Sequence, residues 1–175
     1  TDTPDNSVIV LPAGDFIVSS SITITDATGI TITGYGMDAT ILNFSTAPED
    51  DGFKFAGGND ITIRDLAVYE APKNAIKADG VNGIHMTYVA AVWQTDLEEG
   101  GSNGGSNNGA YGLYPVSSQN ILMENNYAKG SADAGIYVGV ELPCEPDQEE
   151  RLFKLLDDLE QAFMEFVECY KSYRH

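Results

Sequence analysis

The sequence predicts an all-β fold, a parallel β-helix of about five coils, followed by one long C-terminal amphipathic α-helix. Three observations predict it. Apolar residues recur in pairs at a spacing of 23. A residue that tolerates left-handed backbone stands before each second pair. Both habits stop at a proline-containing junction near residue 143. The expected organisation is a β-domain over 1–140, a junction over 141–146 and a helix over 147–175.

The repeat is clearest in "GFKFAGGNDITI", with Phe53, Phe55, Ile61 and Ile63. Moving on by 23 gives Ile76, Ala78, Ile84 and Met86. An earlier copy holds Ile22, Ile24, Ile30 and Ile32, and a later one Leu113, Pro115, Ile121 and Met123. A fifth begins at Ile136 and Val138. Each copy reads as two short alternating strands, because period-two alternation with β-branched residues suits a pleated, half-buried surface. The residue before the second strand is Gly29, Asp60, Gly83 or Asn120, types that accept positive φ, so one turn geometry recurs. A unit this small cannot bury its apolar edge alone, whereas stacked units bury a continuous column. The segment "GYGMDA" (34–39) reads as a turn between coils and not as a nucleotide fingerprint, since no helix follows it.

From Ile84 to Ile121 the spacing grows to 37. The surplus falls in "QTDLEEGGSNGGSNNGA" (94–110), rich in Gly, Ser and Asn, which is expected to project as a mobile loop. Beyond Val138 the next second strand would begin at Cys144, with its left-handed turn on Pro143 and Pro146 within it. Neither fits, because proline holds φ near −65° and has no N–H for the ladder. "DQEE" (147–150) then resembles a capping box, and Lys171, Arg174 and His175 suit the far end of a helix dipole. Leu152, Leu156, Leu159, Phe163, Phe166, Tyr170 and Tyr173 make a stripe in steps of four and three. Two roles fit it: covering the open end of the β-column, or packing on its own copy in a homo-oligomer through residues 149–173. A single helix would hold Cys144 and Cys169 over about 30 Å apart, beyond the reach of a disulfide.

The stretches "ITITGYGMDATIL", "NAIKADGVNGIHM", "NGAYGLYPV" and "SADAGIYVG" resemble the right-handed parallel β-helix repeat proteins of the pectin-lyase-like superfamily, over roughly residues 7–139. The resemblance implies a right-handed coil, an extracytoplasmic (secreted or periplasmic) address and work on carbohydrate. Members of that superfamily usually carry more coils. This chain therefore resembles a truncated one joined to an unrelated helix, by engineering or by natural fusion.

The chain carries 27 acidic and 9 basic residues and a formal charge of −18, with both parts acidic, so nucleic acid is not an expected partner. No apolar run approaches the roughly 20 residues that cross a bilayer, and no membrane partner is expected. It does not open on Met, which suggests a mature or trimmed product. No cofactor is expected and the two cysteines make no zinc site. Calcium at "PEDDG" (48–52) is an alternative to a plain solvated loop.

Outward positions on stacked strands form columns. One is Lys54, Lys77, Tyr114 and Tyr137; another is Thr31, Thr62, His85 and Leu122. Tyrosines beside lysines suit an acidic polysaccharide, with rings stacked on pyranose faces and ammonium groups meeting uronate carboxylates. Expected binding residues are therefore Lys54, Lys77, Tyr111, Tyr114, Tyr137 and Trp93, with Trp93 either a sugar platform or the anchor of the inserted loop. Lyase, epimerase or hydrolase chemistry needs a base and a cation beside the uronate, for which Lys77, His85, Asp79 and Arg64 are the candidates. No motif pairs them, so the expected function is binding without catalysis in this short form. The alternative is a structural or assembly protein, or a fusion scaffold, in which the helix caps or oligomerises.

Overall fold

The computed structural model describes residues 4–48, 50–95, 97 and 104–139, all within the compact unit Thr1–Glu141. The described residues are all-β, and every strand pairing is parallel. Thirteen strands run β1 Val8–Val10, β2 Gly14–Ile17, β3 Ile22–Thr25, β4 Thr31–Thr33, β5 Thr40–Asn43, β6 Phe53–Ala56 and β7 Asn59–Tyr69. They continue as β8 Asn74–Asp79, β9 Asn82–Val92, β10 Tyr111–Val116, β11 Gln119–Glu124, β12 Tyr127–Lys129 and β13 Ala134–Ile136. A five-stranded sheet has the order β13-β10-β8-β6-β3. In an eight-stranded sheet the order β1-β4-β7-β5-β2 is extended by β9 beside β7, with β11 and β12 beside β9.

The register follows the repeat. Phe53 pairs with Ile76 and Phe55 with Ala78; Ile61 pairs with Ile84 and Ile63 with Met86. The longer spacings stack on the same columns: Ile22 meets Phe53, Leu113 meets Ile76, and Ile121 meets Ile84. Equivalent side chains therefore bury one another. Phe53, Phe55, Ile61, Ile63, Ile76 and Ile84 are all at most 1% exposed, in one cluster fed by both sheets. The Phe53 and Phe55 rings lie nearly parallel, with centroids 6.2 Å apart, and Phe44 meets Phe53 edge-on at the same distance. The expected turn positions carry the expected backbone, at φ 68° for Gly29, 52° for Asp60, 85° for Gly83 and 52° for Asn120.

Each of the four complete repeats has a third strand that two-strand alternation does not reveal. In β7 and β9 it follows the second after a single residue, because Asp65 (φ 56°) and Tyr88 (φ 50°) turn the chain at one left-handed position within a continuous strand. Leu42, Val68 and Ala91 then form another inward column, each paired to the next. The turn at 34–39 consequently lies inside a repeat, between the second and third strands β4 and β5, and not between coils. It is fixed by amides of Ala39 and Thr40 donating to the Gly36 carbonyl, and Tyr35 N–H donates to Thr40 Oγ1.

Within the inserted segment, residues 104–110 are docked and do not project. Gly104 N–H donates to Ser131 O, Ala110 N–H to Lys73 O, and Ala132 N–H returns a bond to Gly109 O. The buried Asn108 amide donates to both Thr95 O and Gly130 O at 2.8 Å. Polar composition hid this, because the docking energy comes from backbone and amide hydrogen bonds instead of apolar burial. At 48–52, Asp51 turns inward at 1% exposure and accepts a 2.7 Å bond from Asn74 Nδ2, whose Oδ1 accepts from Tyr111 N–H. The junction at 141–146, the helix expected over 147–175 and both cysteines lie outside the described residues.

Phe55→Ala is expected to cost about 3–5 kcal/mol, since the ring is fully buried between repeats. Its outward neighbour Lys54→Ala should stay within about 0.5 kcal/mol. Urea titrations followed by circular dichroism check both; similar costs for the two would refute the stacked-column account.

Candidate functional site

Strand alternation that sends Phe53, Ile76 and Leu113 inward sends their neighbours out. On the outer face of the five-stranded sheet, Thr23 pairs with Lys54, Lys54 with Lys77, and Lys77 with Tyr114. Tyr137 follows on the last strand edge, 46% exposed. The Tyr114 and Tyr137 rings are 5.7 Å apart. Tyr111 completes a trio, 4.7 Å from Tyr114 and stacked on Tyr137 at 5.0 Å with 16° between planes.

Lys77 ends the aromatic row. Its Nζ stands 5.8 Å from the Tyr114 ring centroid and 2.9 Å from Asp79 Oδ2. The hydrogen bond to Asp79 raises the Lys77 pKa above the ordinary lysine value, outweighing the opposing effect of burial, so the ammonium is present at any physiological pH. Tyr111 is also raised, first by its hydrogen bond to Asp133, so its phenol stays neutral and able to donate. Such a face offers a packed trio of tyrosines beside a paired cation, with Lys54 one strand further on.

The four residues weighed as acid–base candidates do not converge. Lys77 and Asp79 pair on the five-stranded sheet, whereas Arg64 and His85 belong to the eight-stranded one, each with its own partner. Arg64 Nη1 lies 3.3 Å from Asp65 Oδ2, and His85 Nε2 lies 3.1 Å from Glu124 Oε1. The expected column Thr31, Thr62, His85 and Leu122 does form, beside a hollow of about 210 Å³ that Asp60, Gly83 and Asn120 help to line. Trp93 is 2% exposed, and its indole N–H donates to Ala71 O at 2.8 Å. It has no free face for a sugar and acts as the anchor beneath the docked segment. Among the described residues, no three His, Cys, Asp or Glu side chains gather as metal ligands.

A concavity on the third strands went unread in the sequence. It has a volume of about 410 Å³ and is lined by Met37, Asp38, Tyr69, Ala90, Val92, Gln94, Tyr127 and Lys129. A signal was present: Ala67, Ala90 and Tyr127 keep the same spacings of 23 and 37 as Ile61, Ile84 and Ile121. Alanines read as interior, however, so the outward parity of that column was not apparent. Comparison with protein-family models, with curated proteins and with solved structures returns no match.

Because its folded-state pKa is raised, Lys77 contributes stability that is complete below the ordinary lysine pKa of about 10.4 and is lost as pH rises through the higher folded value. Asp79→Asn should therefore weaken the fold by roughly 0–1 kcal/mol near neutrality, with the deficit closing in strong alkali. Urea titrations across pH check this; a deficit that widens with pH would contradict the pairing.

Proposed function

We propose that residues 7–139 form a right-handed parallel β-helix of the pectin-lyase-like kind, and that its outer tyrosine–lysine face binds an acidic polysaccharide without cleaving it. The observation that carries this reading is the trio of Tyr111, Tyr114 and Tyr137 continued by a Lys77 paired with Asp79. Parallel strands in register at the repeat spacing support the solenoid. Aromatic rings stack on the apolar faces of pyranoses, and ammonium groups at successive strands meet successive carboxylates. Separation of Arg64 and His85 from Lys77 and Asp79 argues against a general acid–base pair. A secreted or periplasmic location, where such polymers occur, goes with this reading.

Calorimetry with polygalacturonate and alginate tests it. Tyr114→Ala and Tyr137→Ala should each weaken binding about tenfold, or about 1.4 kcal/mol. Lys77→Ala should weaken it and flatten its salt dependence. Neither polymer should yield unsaturated or shortened products. Absence of binding, or binding unchanged in the Tyr114→Ala, Tyr137→Ala double variant, would overturn the proposal.

A second reading has the C-terminal segment as the working part, favoured by its long apolar stripe from Leu152 to Tyr173. Light scattering on chains with and without residues 141–175 should then show the longer one as an oligomer and the shorter as a monomer. Equal masses per chain would remove this reading.

A further inference from the structure

The outer face of a sheet is normally its polar face, yet here the third strands carry a buried apolar cluster there. Ile41 pairs with Ala67, Ala67 with Ala90, and Ala90 with Tyr127. The neighbouring outward column is Asn43, Tyr69, Val92 and Lys129. Ala67, Ala90 and Val92 are at most 5% exposed, with Met37, Ile41 and Tyr69 packed on them, and this cluster is separate from the main core. Two alanines in succession lower the floor between larger neighbours. The turn at 34–39, longer than its counterparts in β7 and β9 where a single residue suffices, brings Met37 and Asp38 to the side. The resulting hollow of about 410 Å³ falls in the range of small-ligand sites, roughly 300–1,000 Å³.

Its polar groups are mixed. Asp38 only accepts hydrogen bonds, Lys129 only donates, and Gln94 does both. The Tyr69 phenol is held above its ordinary pKa first by burial and then by the carboxylates of Asp38 and Asp15, so it too remains a donor. Carboxylates on this side oppose an anionic ligand, and Lys129 opposes a cationic one. Groups that donate and accept from one atom, on a body with one apolar face, satisfy such a rim. That description fits a neutral pyranose, whose C–H face would lie against the half-exposed Tyr127 above the Ala90 and Val92 floor while its hydroxyls reach Asp38, Gln94 and Lys129.

We propose that the hollow between Met37, Ala90 and Tyr127 is a second binding site, selective for a neutral hexopyranose unit. It lies on the eight-stranded sheet and shares no residue with the tyrosine–lysine face, so it stands independently of the polysaccharide reading.

Saturation-transfer NMR and calorimetry on the full chain test this with the methyl glycosides of glucose, galactose and mannose. Galacturonate and methylammonium serve as charged comparators. At least one neutral glycoside should bind. Ala90→Leu, which fills the floor, should abolish that binding, and Asp38→Asn should weaken it tenfold or more. Tyr127 is half exposed, so Tyr127→Ala keeps the fold and should also weaken binding tenfold or more. The Tyr114→Ala, Tyr137→Ala double variant should bind as the parent does. The proposal is overturned if no neutral glycoside binds, or if binding persists in both Ala90→Leu and Tyr127→Ala. It is overturned equally if either charged comparator binds as tightly, or if the loss appears only in the Tyr114→Ala, Tyr137→Ala variant.

Discussion

The structure depends on one constraint: parallel strands held in register so that like residues stack on like. In a parallel ladder each backbone N–H and C=O is shared with the next repeat, and no freedom remains to slip by one residue without exchanging inside for outside. The pairing of Phe53 with Ile76 and of Ile61 with Ile84 is the direct expression of this. In the middle repeats each inward residue is covered above and below by another, whereas Ile136 and Val138 at the last edge stay about half exposed; the apolar column forms even though no single repeat has a core of its own.

That ladder has to turn corners without losing hydrogen bonds, and left-handed residues do it. Gly29, Asp60, Gly83 and Asn120 serve one corner, and Asp65, Tyr88 and Asn125 serve another. Gly58 shows how tight the first corner is: with φ at 95°, an added Cβ would stand against the Ala27 carbonyl. Side-chain polar groups are recruited where the ladder would otherwise leave an amide alone. The Tyr111 amide donates to Asn74, which donates in turn to Asp51, 23 residues before it. Asn126 does similar service, accepting from Val89 N–H and donating to Met86 O.

The same register creates the surface chemistry. Once the inner columns are set, whatever lies at the alternate positions is lined up too, so Lys54, Lys77, Tyr114 and Tyr137 become a row and not scattered substitutions. Rows on different sheets cannot be pooled, which is why Lys77 and Asp79 act together while His85 keeps to Glu124. Where the row holds alanines, at positions 67 and 90, a hollow replaces a ridge. Insertions adjust the margins: the turn at 34–39 flanks the hollow, and the docked segment 104–110 sits over Trp93, whose indole is tied to Ala71.

By itself the sequence determined the inward columns, the first left-handed corner and the Lys–Tyr row, because all three are written in a period of two that recurs 23 residues on, or further where residues are inserted between repeats. Those signals are local and survive without knowledge of neighbours. Tertiary structure alone decided the third strand, since Asp65 and Tyr88 bend the ladder at one residue and leave no break in composition to read. It alone decided that Ala67 and Ala90 face outward, because an alanine is compatible with either side of a sheet and only the register assigns one. The docking of 104–110 and the burial of Trp93 were likewise hidden, as they rest on hydrogen bonds to residues 71, 73, 130 and 131 that are distant in the chain and carry no pattern of their own.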